Sequence, residues 1–519
     1  MNKKASLLAL VILFATSTFA QKKIFEDVKG FELRNVGNIM DKETLLGYYF
    51  FYKKDKVDRK TEAFEITLMD NNLNVMKSFD VQRPKDSRLV ETSFNGTSFV
   101  MVYFHKKELE FVTYDKAGKK LGSKLYEDLP SYQRAAFIAS ETTGQDVKSF
   151  YVMDSTSYLR YTPVKNKKMG YELEAFSNSM KTLWKGGSSS SSEQTEIADI
   201  QYTSQKYIAS IIGRTKKKDM ESFYQILDAK TGKKIFETPM KENGSELSAL
   251  NIFVDEARER SIILGEYYAP GQEIANSKSM GLYAMYIDME GNKSGYKKYS
   301  WKGDLAKIMD DIDEDNKSKT HPSIFFHKVY RSKTGKAIAI GEQYKRVASA
   351  SGIANMALAG LGGGTSNQST TDFKVMNMIV LEFDSSNNIT NSFSAKKKSH
   401  NIAMPMGFEF YPLAMVANIM NYWGAFDFEF ASVDKARDRV YAVYKDFNRK
   451  EDDSKGSEKS DVMLGVVSYE GGKSKADRVP INTDAKYIWI APAKPGYITI
   501  GEYFKKEKKV SYRLEKISN

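Results

Sequence analysis

An all-β fold built from repeated antiparallel units is predicted by three observations. First, an aliphatic run followed by Gly and then Glu recurs at Ile263-Leu264-Gly265-Glu266-Tyr267, Ala339-Ile340-Gly341-Glu342 and Thr499-Ile500-Gly501-Glu502-Tyr503. Weaker copies stand at Leu45-Leu46-Gly47-Tyr48 and Ile211-Ile212-Gly213-Arg214. Second, a Val-Asp phrase with an Ala-Arg pair appears twice, at 254–260 and 433–439. Third, an Asp-led turn follows strand-like runs of Tyr, Phe, Ile and Val, at Asp70, Asp115, Asp228, Asp288 and Asp384. An Asp carboxylate can bond the turn backbone, and the Gly or Asn beside it tolerates positive φ, so these positions read as sheet-making hairpins. Internal repetition of this kind decides the architecture before any residue chemistry does.

Spacing counts the units. Gly213 to Gly265 is one step of 52 residues, and Gly47 to Gly213, at 166, is three. Gly265 to Gly341 is one step plus an insertion near 301–320, and Gly341 to Gly501 is two once 346–372 and 397–424 are set aside. Eight copies result, with seven as the alternative; those lacking the glycine are expected near Tyr103, Met153 and Tyr444. Four short strands per unit of about 50 residues is the size of a propeller blade, and the chain resembles the β-propeller superfold in this respect. A row of stacked sandwiches is the rival architecture. The last unit, Tyr487 to Ser518, supplies three strands, and Phe31–Val36 is expected to add its fourth. The resemblance is architectural, since no WD, kelch or Asp-box motif is matched faithfully.

Residues 1–20 read as a secretory signal: Lys3 and Lys4, an apolar run from Ala5 to Phe14, then small residues ending at Ala20. The domain organisation expected is this signal followed by one propeller over 21–519. No later apolar run is long enough to span a bilayer. The chain has no cysteine, which excludes disulfides, thiolate metal sites and a lipid-modified cysteine. The signal style and composition resemble those of exported Bacteroidota proteins. The net charge is +12, with 66 acidic residues interspersed among 78 basic ones. That balance describes a solvated Lys-rich surface able to touch an anionic envelope, and no nucleic-acid recognition motif is present.

Strands A to D run outward from the axis of such a fold, so B–C and D–A connections share one face. The long connections fall on it: Ala269–Met280, Ala348–Thr371 and Glu451–Ser460 (B–C), and Gly186–Glu193, Trp301–Thr320 and Ser399–Gly424 (D–A). Long loops gathered on one rim of a rigid scaffold are a usual site of binding, here on blades five to seven. Glu266, Glu342 and Glu502 end strand B on that side, with Tyr267, Tyr344 and Tyr503 beside them, and form the candidate binding set. A glycosidase pair needs two carboxyls roughly 5–9.5 Å apart, which strand B of neighbouring blades is too far from the axis to supply. Local pairing of each Glu is the favoured reading.

Asp311, Asp313 and Asp315 have the alternate spacing of a calcium loop, but Asn316 and Pro322 stand where Gly and a bidentate Glu are required. A solvated acidic loop with at most weak calcium affinity is expected, and no other cofactor. Four scattered histidines (His105, His321, His327, His400) give little support to a metal site or a catalytic triad. The runs 353–359 and 413–420 are apolar and read as short helices that pack on each other and plug one mouth of the channel, with an adaptable partner surface as the alternative. The reading reached is an exported, non-catalytic binding or scaffolding propeller, with the periplasm favoured and an envelope protein or glycan as partner. Alternatives are a glycan-acting hydrolase, by fold analogy only, and a cell-envelope assembly factor.

Overall fold

The computed structural model describes residues 21–517 apart from 29–35, 42–43, 144–147, 166, 189–193, 217–218, 275–276, 307–321, 361–367, 412, 449–460 and 482. The signal at 1–20, the loop Glu451–Ser460 and most of Phe31–Val36 lie outside the described residues. The described chain is an eight-bladed β-propeller of eight antiparallel sheets; seven are built on four consecutive strands, and the eighth joins three C-terminal strands to the first strand of the chain. It divides into two compact units, Met1–Ser87 with Asn482–Asn519, and Arg88–Ile481.

The first unit holds blades one and eight. Blade one runs β2 (Val36–Asp41), β3 (Thr44–Lys56), β4 (Thr61–Asp70) and β5 (Val75–Pro84). Blade eight takes β32 (Tyr487–Pro492), β33 (Tyr497–Phe504) and β34 (Lys509–Lys516) from the C-terminal end, and its fourth strand from the N-terminal end. That strand is β1 (Lys22–Phe25), registered Lys22 to Arg513 and Phe25 to Val510. The expectation of Phe31–Val36 was misplaced, because Val36 already opens blade one. Phe25 selects the earlier segment. Its ring sits 4.2 Å from Phe50 and 6.2 Å from Tyr512, inside a core with Val28, Tyr48 and Leu514.

Blades two to seven form the second unit. Each pair of successive blades encloses its own apolar core. Phe104, Phe111 and Phe150 join blades two and three, Tyr224, Ile263 and Tyr283 blades four and five, and Ile340, Val380 and Val467 blades six and seven. All five Asp-led turns are C–D hairpins. Asp70, Asp115, Asp288 and Asp384 each accept from the amides two and four residues on, at 2.8–2.9 Å. Asp228 accepts from Thr231.

The repeated glycine has a geometric origin. In blades two, five, six and seven, strand A carries one extra residue, and Tyr103, Gly265, Gly341 and Tyr444 lie opposite the residue just before it. At Gly265 and Gly341 a β-carbon would run into the carbonyl oxygens of Ser248 and Phe325 on that strand. Tyr103 and Tyr444 are thus the copies expected. Met153 is not: it is itself the extra residue of strand A in blade three. Gly213 lies on strand B of blade four but three residues beyond the position opposite the bulge.

Blade six is the most elaborated. Its strands β24 (Ala337–Ala348) and β25 (Gln368–Phe383) project as a long hairpin that carries helix α2 (Ala350–Gly360) and pairs with an extra strand, β27 (His400–Pro405). Helix α3 (Leu413–Tyr422) follows. One helix was not foreseen. Ser131–Thr143, α1, joins blades two and three and stacks Phe137 on Phe104 at 5.4 Å. Elaboration is therefore not confined to blades five to seven.

Phe25→Ala is expected to lower the stability of the first unit by about 3 kcal/mol, measured by urea unfolding with Trp489, of the same blade, as reporter. An unchanged midpoint would remove β1 from the blade.

Candidate functional site

Glu342 lies one residue past Gly341 on strand B of blade six and is fully buried. The extra residue on the facing strand is His327, and the bulge turns its ring toward the carboxylate, with Nε2 3.1 Å from Oε2. The ring stacks on Phe428 at 4.4 Å and lies 5.2 Å from Phe325 and 5.1 Å from Phe426. Lys397 brings Nζ to 3.0 Å from the other oxygen and also binds Asp427. The amides of Asp427 and Phe428 donate to Glu342 at 3.3 and 2.9 Å. His400 Nδ1 stands 3.5 Å from Asp427. Burial opposes the charge, but Lys397 and His327 outweigh it and hold Glu342 down to about 2. Burial also acts on Asp427, and its carboxyl stays raised despite Lys397. Both oxygens of Glu342 are occupied by donors, so the group clasps blade six to the entry of blade seven and has no proton to give at neutral pH.

Glu266 occupies the same place in the repeat on blade five, with different chemistry. Tyr344, two residues on from Glu342, donates its hydroxyl to Glu266 Oε1 at 3.2 Å. Burial without a cation pushes this carboxyl up to about 7, opposed by hydrogen bonds from Ser279, Tyr344 and Tyr268. Glu502 belongs to the first unit, where Arg513 Nε lies 3.6 Å away. The three glutamates have three separate settings. Of the tyrosines, Tyr344 joins the two buried carboxyl sites, Tyr267 lies under Lys298 at 5.4 Å, and Tyr503 stacks on Tyr487 in the first unit's core. Asp311, Asp313 and Asp315 lie outside the described residues. Among the described residues no group of three or more His, Asp or Glu is placed to hold a metal ion.

Two features escaped the sequence reading. One is a mixed-charge set on or beside inner strands. Glu91 accepts from the Ser149 amide and hydroxyl (2.9 and 2.6 Å) and the Phe150 amide (2.9 Å), and burial pushes it up to about 7. Lys148, just before strand A of blade three, is held below its usual range by burial and by the charge of Lys328; Glu91 and Asp199 oppose this. Isolated charges within such strands carry no sequence signal until the register is known.

The other is the construction of the insertion surface. Helix α3 buries Ala414 and places Val416, Ala417 and Met420 in a cluster with Phe325, Tyr344, Phe373 and Phe426. Helix α2 packs on β25 instead. Each helix therefore finds its own support on blade six, which replaces the expectation that they cover one another. Between β27 and α3 the turn at Gly407–Tyr411 is pinned by Arg346. Its guanidinium donates to the carbonyls of Phe408, Glu409 and Tyr411 at 3.0, 3.1 and 2.7 Å. Phe408 stacks on Trp423 at 5.4 Å. This leaves Phe410 83% exposed, with Met406, Tyr422 and Trp423 also facing solvent.

Two substitutions separate the buried carboxyls. Glu342→Gln leaves Lys397 with half its counter-charge and is expected to cost about 3 kcal/mol in denaturant unfolding at pH 7. Glu342 is held below its ordinary value of 4.5, so its contribution is complete above that pH and is lost as pH falls toward 2. Glu266 has the opposite sign: its contribution is complete below 4.5 and is lost as pH rises through about 7. Glu266→Gln should therefore gain on wild type by on the order of 3 kcal/mol between pH 4.5 and 8. A difference that does not change with pH would contradict the assignment.

A comparison with curated proteins finds no match. Among solved structures, the chain is similar to the beta-propeller domain of the Trilobed protease from Pyrococcus furiosus at 9% identity and a TM-score of 0.34, covering 83% of this chain and 98% of that one. It is similar to polysaccharide lyase Uly1 at 8% identity and a TM-score of 0.38, covering 83% and 90%. It is also similar to prolyl oligopeptidase B from Galerina marginata at 8% identity and a TM-score of 0.39, covering 96% of this chain and 56% of that one. Likenesses this distant carry no argument about activity. Residues 1–518 match the model of one family, and the chain belongs to it: the Family of unknown function (DUF6770).

Proposed function

We propose that this propeller is a non-catalytic binding module, exported to the periplasm, that engages an envelope partner through the insertion-bearing face of blade six and its neighbours. One observation carries the reading. The most elaborated blade presents exposed aromatic and Met side chains on a turn held rigid by Arg346, and large exposed apolar patches mark interaction sites. The glutamates that a hydrolase would need favour the same reading, because Glu342 is ionised inside a clasp and Glu266 is sealed beneath tyrosines. Export rests on the basic, apolar and small-residue order of residues 1–20.

The test is a photoreactive amino acid placed in cells at position 410 and, as control, at Lys230 on the opposite face, an exposed residue of the C–D turn of blade four. Adducts are expected from 410 and not from 230. Equal labelling from both positions would remove the face from consideration.

A further inference from the structure

Resting on that binding-face reading, we propose that the partner of this face is a lipid bilayer, into whose interfacial layer Phe410 and the aromatic side chains around it insert. The first argument is charge. Residues 347–371 contain no Asp, Glu, Lys or Arg, and residues 399–426 contain one, Glu409, in a chain where 28% of residues are charged. Glu409 turns its carboxylate back onto the Gly407 amide at 3.0 Å. A protein-binding patch ordinarily surrounds its apolar centre with a polar, charged rim that sets register. Stretches this poor in charge complement an uncharged, fluid apolar layer instead.

Backbone chemistry is the second argument. A loop can enter the interface only if its peptide groups are satisfied from within the protein. The Arg346 guanidinium takes up three consecutive-turn carbonyls, of Phe408, Glu409 and Tyr411. At the end of α3 the amides of Trp423, Gly424 and Ala425 bond back to Ile419, Asn421 and Met420. The turn is thereby prepared to leave water. A loop meant to stay solvated needs no such arrangement.

The third is the kind of side chain exposed. Phe410 is the most exposed of these side chains, at 83%, and Tyr411, Tyr422 and Trp423 are exposed at 45%, 59% and 43%. An apolar Phe among amphipathic Tyr and Trp matches the composition of a bilayer boundary, where those rings concentrate at the headgroup level.

The experiment uses the full chain and phosphatidylcholine vesicles with brominated acyl chains, reading tryptophan quenching. Trp423→Phe isolates Trp423 from Trp184, Trp301 and Trp489, so binding through the apolar run near the N-terminus cannot imitate the signal. Quenching that disappears in Trp423→Phe, with vesicle affinity at least tenfold weaker in Phe410→Asp, is the expected result. Circular dichroism of Phe410→Asp checks that this exposed position leaves the fold intact. Absence of Trp423 quenching overturns the lipid proposal, as does vesicle binding only with anionic lipid that Phe410→Asp leaves unchanged. In either case a protein adduct at position 410 would leave the binding-face reading standing, with a protein as its partner. Loss of the position-specific adduct as well would remove both.

Discussion

A small sheet of four strands whose central strands are apolar on both faces cannot stay in water alone. Strand B of blade five is buried from Ser261 to Glu266, and strand B of blade two from Ser98 to Phe104. Alternation is lost because both faces need cover, and within the second unit each inner sheet gets it from the sheet before and the sheet after. Every other feature accommodates that stacking. The cores lie between blades and not within them, the outermost strands return to alternating exposure, and the Asp-led hairpins keep the chain reversal short enough for the next blade to begin at once. Blade eight meets the same demand by recruiting β1, whose Phe25 completes a core that three C-terminal strands leave open.

Close stacking also decides the chemistry of the buried carboxyls. Glu266 and Glu342 follow equivalent glycines, and in both blades the glycine permits strand A to press against strand B. What differs is which neighbour arrives. At blade six the bulge residue is His327 and the following segment delivers Lys397, so the carboxylate keeps its charge. At blade five the corresponding bulge residue is Leu250 and the neighbours are Tyr268 and Tyr344, so burial dominates and the carboxyl holds its proton more tightly. Equivalent repeat positions therefore give an ion cluster in blade six and, in blade five, a tyrosine-covered acid that burial raises to about 7. Neither is open to a substrate, which moves attention from the strand ends to the insertions.

The insertions combine a firm base with an uncovered top. Helix α3 contributes Val416 and Ala417, fully buried, to the cluster on blade six, yet presents Met415 and Tyr422 outward. A helix with two apolar sides is stable on a soluble protein only while its outer side is small, or when that side meets something apolar in use. Arg346 removes the freedom that would let Phe410 fold back against the protein. The surface is held in its exposed form by specific bonds, and that rigidity lowers the entropic cost of binding.

The sequence by itself determined the all-β class and favoured eight blades over seven, because strand runs, turn chemistry and repeat spacing are local properties. It also located the Asp-led hairpins residue by residue, and Tyr103 and Tyr444 as the copies without glycine. Tertiary structure alone decided the fates of Glu266 and Glu342, since protonation depends on partners such as Lys397 and Tyr344 that come from other strands or from an insertion. It also decided the fourth strand of blade eight, where Phe25 packs on Phe50 and Tyr512, partners that no local pattern reveals. The capping of the 407–411 carbonyls by Arg346 was likewise beyond sequence, because 62 to 65 residues separate the partners and only folding of blade six brings them together.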